Sequence, residues 1–496
     1  MPRFPVELLE AIVRQLQVED RKTLARCCLA NRTLNAVSAP CLYNSIDVDV
    51  RLIHTTGVDD LIYYECEILN SAALPHNCRH VRAVIMRGSF SWCANFPHPG
   101  VLIHALEQFT NLRSLSCRVA GDLSEEVFSD TITIDTFRRI WEITNDLSGL
   151  REFAVRWEHV AHISPALFKQ LVKPELHRLT LSLTTVKSIE YLANCFRSTT
   201  RMALTTLEIR AFARWDMSHS IPVRFLDVFR QFPPSLCNVR FLRLGILLAR
   251  LDEVLFQTLS QIPRLEELWL EYQVYNRDFK RPYDPMEFHT IPFSAPTKLK
   301  RFTLRYYNYK EPTLAVDKVC SWIKLVISRC PLEEFSFIPF YQMRIRNPLS
   351  KPSWDILLDH LTDKHAQTLR RLDLRAAFVR KCSLKRLLQK CLLPVEHLSV
   401  GTTQGSIHTF IRHSSQLRFL GRVEFELRTL KRGESFTREQ KARDEAAESM
   451  LNSAPNLKTV GVNDELWSRT WSLEGGDLKC DVERCEVRER IDEIWA

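Results

Sequence analysis

Histidine and cysteine, the side chains best suited to bind a metal or act as nucleophiles, cluster at two places in this 496-residue sequence. One segment, PHNCRH, places His76, Cys78 and His80 at alternate positions, and the other, CDVERC, contains Cys480 and Cys485. A structural zinc site needs four ligands, usually supplied as two closely spaced pairs. Neither segment has a second pair at such a spacing, so we predict no metal site and interpret the cysteines as reduced thiols.

Recognisable catalytic and cofactor-binding motifs are absent from the sequence. It contains no GxxxxGK[ST] phosphate loop, no GxGxxG turn, no GxSxG elbow and no HExxH pair. With only 13 glycines, the chain is also poorly supplied for loops whose backbone cradles phosphate groups. We therefore predict a non-catalytic protein without catalytic residues or cofactors.

Arginine is the third residue type whose spacing is informative, because a guanidinium binds carboxylates and phosphates through paired hydrogen bonds. Nine arginines and one tryptophan lie two, four or six residues after the first apolar residue of a repeated strand motif: Arg87, Arg118, Arg156, Arg210, Arg243, Trp269, Arg301, Arg305, Arg371 and Arg375. Because alternate side chains of a strand point to opposite faces, we expect these residues to share the concave face of the predicted sheet. That face should be electropositive and suit an acidic or phosphorylated protein target, with Trp269 as an exposed anchor. The alternative is a solvated face on which arginine and glutamate pair across neighbouring strands.

The elements that must position these residues are copies of the motif LxxLxL, in which any large apolar residue is allowed. Unbroken copies begin at Val81, Leu112, Leu150, Leu176, Leu204, Val239, Leu265, Leu299, Leu332, Leu369, Val395 and Leu457, and a broken copy begins at Leu417. Helix-like apolar stretches such as VCSWIKLVISRC lie between the copies. A repeated strand and helix, in which each unit buries its neighbour's face, predicts an α/β solenoid.

The first forty-six residues predict three helices instead. Apolar residues at Leu8, Leu9, Ile12 and Leu16 have helical spacing after Pro5. Asp20 is placed to cap a second helix and Asn31 a third, which we expect to end at Pro40. Three short helices cannot bury apolar side chains on all their faces, so another body should cover part of this surface.

This segment resembles an F-box, the module that docks on the Skp-type adaptor of cullin-RING ubiquitin ligases. Residues 4–16 match the family pattern of Leu-Pro, Glu-Leu-Leu, Ile and Leu, with phenylalanine in place of the first leucine. Residues 42–46 match its Leu-aromatic pair near an isoleucine. The resemblance implies these adaptor-binding residues: Phe4, Pro5, Leu8, Leu9, Ile12, Leu16, Leu29 and Leu42. Its alternative is a helical cap on the domain that follows.

The repeats resemble leucine-rich repeats, although the asparagine or cysteine that usually follows LxxLxL is missing from every copy. Together the two resemblances imply an F-box protein with degenerate leucine-rich repeats: an F-box-like helical domain at 1–46, a linker or cap at 47–80, an irregular horseshoe at 81–465 and a C-terminal cap or tail at 466–496. Such a protein would be the substrate-recognition subunit of a Skp-cullin-F-box E3 ubiquitin ligase, bound to the adaptor and, through it, to the cullin-RING ligase. The apolar spacing of the segment from Cys480 to Trp495 predicts a helix.

Composition is consistent with a folded, water-soluble chain, with 45% hydrophobic and 26% charged residues and a net charge of +9. No apolar run approaches the roughly 18 residues of a membrane span, and Glu7, Glu10 and Arg14 interrupt the first apolar stretch, so we predict a cytoplasmic or nuclear protein. Two other functions stay open: an interaction scaffold outside any ligase and, ranked below it, a basic solenoid associated with nucleic acid. Target identity and oligomeric state are left open by the sequence.

Overall fold

The structure is a computed structural model that describes most of the chain. The described residues are 5–49, 67–89, 99–120, 131–156, 173–183, 186–198, 202–211, 225, 228–248, 253–274, 296–308, 313–339, 354–390, 394–414, 417–427, 436–454, 456–463, 465–474 and 477–485. Phe4, which we predicted to bind an adaptor, lies outside them. The chain divides into two compact units, the first formed by 1–212 with 234–238 and the second by 213–233 with 239–496.

Three helices begin the first unit: α1 (Val6–Glu19), α2 (Arg21–Ala30) and α3 (Arg32–Tyr43). The predicted caps are confirmed, since the Asp20 carboxylate accepts hydrogen bonds from the backbone N–H groups of Lys22 and Thr23, and the Asn31 side chain accepts one from Leu34. These bonds satisfy amide groups that a helix start otherwise leaves unpaired. The three helices pack on one another, and α3 also contacts the first strand.

Pro40 does not end the third helix, contrary to the prediction, and α3 continues to Tyr43. A proline inside a helix removes one backbone hydrogen bond, here the one to the carbonyl of Ala36. Ala36 is exposed, so solvent can reach that side of the helix.

Six parallel strands follow in the first unit, each paired with the next along the chain. They are β1 (Ser45–Asp49), β2 (Ala83–Ser89), β3 (Ser114–Ala120), β4 (Glu152–Arg156), β5 (Arg178–Leu183) and β6 (Thr206–Ala211). Helices occur in the described parts of the connections, at Pro75–Cys78, Pro99–Gln108, Thr131–Asp146 and Val186–Ser198. In each unbroken copy of the motif in this unit, a strand therefore begins two residues after the first apolar residue, as predicted.

The second unit repeats this connectivity with eight parallel strands and ends in two antiparallel ones. The strands are β7 (Phe241–Leu248), β8 (Glu267–Val274), β9 (Arg301–Asn308), β10 (Glu334–Pro339), β11 (Arg371–Phe378), β12 (His397–Thr402), β13 (Arg422–Leu427), β14 (Thr459–Val462), β15 (Glu465–Glu474) and β16 (Asp477–Cys485). Its helices are Glu253–Ser260, Thr313–Ile327, Asp355–Lys364, Lys381–Lys390, Gln404–Ser414 and Phe436–Ser453. A 3-10 turn at Pro233–Leu236 lies almost entirely in the segment 234–238 that belongs to the first unit.

The motif leucines form the cores of the two units. In the copy before β5, Leu176, Leu179 and Leu181 are fully buried, and the equivalent residues of the other unbroken copies are also buried. Aromatic side chains fill the space between strands and helices; Trp141 lies edge-on to Phe153 with ring centroids 5.6 Å apart. Consecutive strands that pair in order, with helices between them, have the connectivity of the predicted α/β solenoid.

A charge pattern marks the start of the strands in the second unit. We call the residue after the first apolar residue of each copy the leading residue; from β7 to β12 these are Arg240, Glu266, Lys300, Glu333, Arg370 and Glu396. Their signs alternate, and neighbours form ion pairs of 2.8 Å (Arg240–Glu266), 3.8 Å (Lys300–Glu333) and 3.0 Å (Arg370–Glu396). Opposite charges on adjacent strands favour their pairing, so the pattern supports the observed strand order.

Three further differences from the sequence predictions concern strands. β1 belongs to a copy of the motif that the sequence analysis did not recognise, formed by Tyr43, Ile46 and Val48. Tyr43 and Ile46 had been assigned to the F-box-like helical segment. The copy before β13 begins at Leu420 rather than Leu417, since Leu420, Val423 and Phe425 are the buried residues at the expected spacing. The helix predicted from Cys480 is wrong as far as Cys485, because these residues form the end of β16 and pair with β15. The rest of the predicted helix, 486–496, lies outside the described residues.

Candidate functional sites

The first candidate site is the apolar surface of α1 and α2. Leu8 and Ile12 lie one turn apart on α1 and are 51% and 50% exposed, and Leu29 on α2 is 88% exposed. Side chains four residues apart lie on the same side of a helix. We call Leu8, Ile12 and Leu29 the exposed helix residues.

The structure divides the predicted adaptor-binding residues into two groups. Val13 is buried, and Leu9 and Leu16, which share its side of α1 by helical spacing, are partly buried. Leu42 on α3 is also partly buried, and its carbonyl accepts a hydrogen bond of 3.1 Å from the Arg21 guanidinium. Pro5 is exposed and occupies the N-cap position of α1 without a side-chain hydrogen bond to the helix. The exposed helix residues are therefore available to a partner, whereas Leu9, Leu16 and Leu42 contribute to packing.

The second candidate site is the strand face that carries the predicted arginines. In the first unit, Arg87 forms an ion pair of 2.9 Å with Asp47 on the neighbouring β1. Arg210 donates a hydrogen bond of 2.7 Å from Nε to Glu208 on its own strand, and both side chains are largely buried. Arg118 and Arg156 lie on β3 and β4, but their side chains are outside the described residues.

In the second unit, taken by itself, the equivalent strand face centres on Trp269. The Arg243 guanidinium lies over the indole ring, 4.0 Å from its centroid, which is a cation–π contact. Arg301 pairs with Glu267 at 2.7 Å, and Arg305 with Glu271 at 3.7 Å. These pairs follow from strand register, because Glu267 lies opposite Arg301 and Glu271 opposite Arg305.

Trp269 is less available than the sequence analysis expected. It is partly buried beneath Arg243, and its indole Nε1 is buried and makes no hydrogen bond. Phe241 is a second large aromatic residue on this face, because it lies opposite Glu267 in the register and has the Arg301 guanidinium 5.6 Å from its ring centroid. Counting positions from Val239 would have revealed Phe241.

A third group on this face surrounds Arg375. Its Nη2 lies 2.7 Å from the Asp373 carboxylate and its Nη1 4.0 Å from Glu424 on β13. Glu424 also accepts a hydrogen bond of 2.7 Å from Arg422. Burial opposes ionisation of Glu424, but His397, Arg422 and Arg375 outweigh that effect and hold the pKa of this carboxyl well below its usual range.

The predicted electropositive character of this face does not extend to the second unit. From β7 to β13 its positions carry six arginines and six carboxylates: Arg243, Arg301, Arg305, Arg371, Arg375 and Arg422, and Glu267, Glu271, Glu334, Asp373, Glu424 and Glu426. Arg371 is exposed. The sequence analysis missed Arg422, Glu424 and Glu426 because it placed the copy before β13 three residues too early. Pairing across strands, the alternative left open above, holds for Arg301 and Arg305, whereas Arg375 and Arg422 pair mainly with a carboxylate of their own strand.

Burial shifts the pKa of one carboxyl in the Trp269 group. It raises the pKa of Glu267, and nearby Glu334 adds to the rise, while Arg301 and Arg243 act in the opposite direction. Arg301 therefore favours the ionised form of Glu267, which burial disfavours. A ligand that displaced Arg301 would favour protonation of Glu267.

No group of three or more metal-binding side chains converges among the described residues. Within the same residues, no helix is both long and apolar enough to cross a membrane.

Comparison with known proteins finds similarity to solved structures only. No family model matches the chain, and no curated protein matches it significantly. Among solved structures, the chain is similar to one described as the crystal structure of the Rad7 and Elc1 complex in yeast, with 13% sequence identity, 93% of each chain covered and a TM-score of 0.40. The likeness is weak, so a function for this chain has to be argued from its own residues.

Proposed function

We propose that this chain is the substrate-recognition subunit of a Skp-cullin-F-box ubiquitin ligase. In this proposal α1 and α2 dock on the Skp-type adaptor, and the strand repeats hold a protein target. The chain performs no chemistry itself and contributes by keeping the bound target close to the ligase, which raises its local concentration.

The exposed helix residues are the observation that supports this function. Leu8, Ile12 and Leu29 are large apolar side chains at least half exposed, while α1 already buries Val13 on its other side. A helix that is apolar on two sides suits burial between two bodies. One body is the three-helix set itself, and the resemblance to an F-box suggests a Skp-type adaptor as the second.

The contact between α3 and β1 favours a second function, an interaction scaffold outside any ligase. Only Asn44 separates α3 from β1, and the Tyr43 hydroxyl lies 2.7 Å from that of Ser71 in the same unit. The helices thus continue directly into the sheet, as a cap on the repeats would. A cap does not require the exposed helix residues to be apolar.

Binding to a purified Skp-type adaptor tests the proposal. The variant Leu8→Asp/Ile12→Asp changes only exposed side chains, so we expect it to fold and to lose co-elution with the adaptor. Phe419→Asp is a matched control, because Phe419 is an exposed apolar residue, 61% accessible, in the second unit. It should leave co-elution unchanged. If the unaltered protein does not bind the adaptor, or the double variant still does, the ligase function is wrong and the scaffold function is favoured.

A further inference from the structure

The leading residues of the first unit break the charge alternation seen in the second. In the copies before β2, β3 and β4 they are Arg82, Arg113 and Arg151. The backbone N–H of Arg113 donates to the carbonyl of Arg82, and that of Arg151 to the carbonyl of Arg113, each at 2.8 Å. The three arginines are therefore direct neighbours, and we call them the arginine strip.

Among the residues that the structure describes, protein groups satisfy the arginine strip poorly. The Arg82 guanidinium donates to the backbone carbonyl of Asn111 at 3.2 Å, and Arg113 is exposed. The Nη1 of Arg151 is buried and has no hydrogen-bond partner within the described part of the chain. In the second unit, by contrast, Arg240, Lys300 and Arg370 each meet a glutamate of a neighbouring strand.

The fold does not require this arrangement. Like charges directly opposite one another on adjacent strands are destabilising, and the second unit shows that alternating signs fit the same positions. Two further exposed arginines flank the strip, Arg79 before β2 and Arg178 on β5, where Arg178 lies opposite Glu152 of β4. The pKa of the neighbouring His80 is lowered by burial first and then by Arg79 and Arg82, which agrees with a positive potential at this edge.

We propose that the arginine strip binds an acidic peptide segment in an extended conformation. Strands about 4.8 Å apart place the outer two arginines about 10 Å apart, which is the length of about three residues of extended chain. Guanidinium groups suit the carboxylates of aspartate and glutamate or a phosphorylated side chain. The inference goes beyond docking on an adaptor and does not depend on it, because the strip shares no residue with the α1 and α2 surface.

The residues beside the strip favour a peptide over nucleic acid. The next residues along the strands are Ala83, Ser114 and Glu152, with Glu152 accepting a hydrogen bond of 3.1 Å from Ser114. Binding of single-stranded nucleic acid relies on aromatic side chains that stack on bases. None of these three residues is aromatic, and Glu152 would repel a continuous phosphate backbone.

Fluorescence anisotropy with a labelled oligo-aspartate peptide tests the proposal, with the matching oligo-asparagine peptide as the neutral probe. We expect the full-length protein to bind only the acidic peptide, more weakly as salt is added. The variant Arg82→Gln/Arg113→Gln/Arg151→Gln should bind at least about tenfold more weakly, since it removes three charge-assisted hydrogen-bond donors. The matched variant Arg240→Gln/Lys300→Gln/Arg370→Gln removes the same charge from the same positions of the second unit and should change affinity less than about twofold.

Arg113→Glu separates binding from folding. It restores alternating signs across β2, β3 and β4, so we expect the thermal midpoint to rise while acidic-peptide binding is lost. Equal losses in the two triple variants would show that net charge alone attracts the peptide and would overturn the proposal. It would also be overturned if Arg113→Glu kept peptide binding, or if an oligothymidine of equal charge bound to the strip more tightly than the peptide.

Discussion

Arg375 should prove to be a structural residue of the second unit, and its removal should be costly. Its side chain is only 14% exposed and that of Asp373 is 4% exposed. The guanidinium donates to both carboxylate oxygens, with Nε 3.0 Å from each and Nη2 2.7 Å from Oδ2. Arg375→Met keeps much of the packing volume but leaves the Asp373 carboxylate buried without a counter-charge.

The expected loss follows from burial. Breaking a buried pair by removing one partner costs about 3–5 kcal/mol, whereas an exposed pair contributes about 0–1 kcal/mol. Arg87→Met is the matched control, because Arg87 and Asp47 are 53% and 34% exposed. Adding Asp373→Asn to Arg375→Met should restore part of the loss, since the buried charge is then removed.

Hydrogen–deuterium exchange resolved by peptide suits this comparison, because the two units need not unfold together. Since about 1.4 kcal/mol corresponds to a tenfold change in an equilibrium constant, Arg375→Met should lower protection of β11 and β13 by about a hundredfold or more. Protection of β2 in the first unit should not change. A loss below about fivefold at β11, or no recovery when Asp373→Asn is added, would refute the assignment of Arg375 as a structural ion pair.

Two further predictions concern single residues of the second unit. The pKa of His360 is lowered from 6.5 to about 4, mainly by burial and further by His365 and Lys324. Between pH 6.5 and about 4, the unfolded chain therefore binds a proton that the folded chain does not. Stability should therefore fall by about 2 kcal/mol between pH 7.5 and 5.0, and a smaller fall is expected for His360→Leu in chemical denaturation at the two pH values. Asn463 has a φ of 58°, and its Oδ1 accepts a hydrogen bond of 2.8 Å from Leu427 N–H. Asn463→Ala should therefore lower the free energy of unfolding by about 2 kcal/mol, and Asn463→Gly by about half of that, as measured by urea denaturation. Equal stability of the alanine and glycine variants would show that backbone conformation is not the cause.

Strand positions could be predicted from sequence because the motif combines a buried apolar residue with an alternating pattern. Leu265, Leu268 and Leu270 show the principle, since all three are buried and β8 begins two residues after the first. The pattern is ambiguous where extra apolar residues occur. Leu417 and Phe419 precede β13, and only pairing with β12 shows that the buried series begins at Leu420 while Phe419 is exposed.

The candidate sites were harder to predict because they depend on which charges become neighbours. Sequence counting placed Arg301, Arg305 and Arg375 on one face, but whether each meets a carboxylate depends on strand register and side-chain direction. Part of that information was accessible, since the leading residues alternate in sign when the copies are aligned. The sequence does not show that Leu8 is exposed and Val13 buried, because both residues are apolar. The packing of α1 on α2 and α3 decides which of the two is covered.

The contrast between the two units bears on where a charged target would bind. In the second unit, Arg301, Arg305 and Arg375 already pair with carboxylates of the same face. An acidic target would have to displace those carboxylates, and the displaced groups would then repel it. The arginine strip of the first unit has no such competitor among its leading residues. Since a departure from a locally satisfied pattern often marks a functional site, the strip, rather than the paired face that the sequence first indicated, is the better candidate for recognition of an acidic segment.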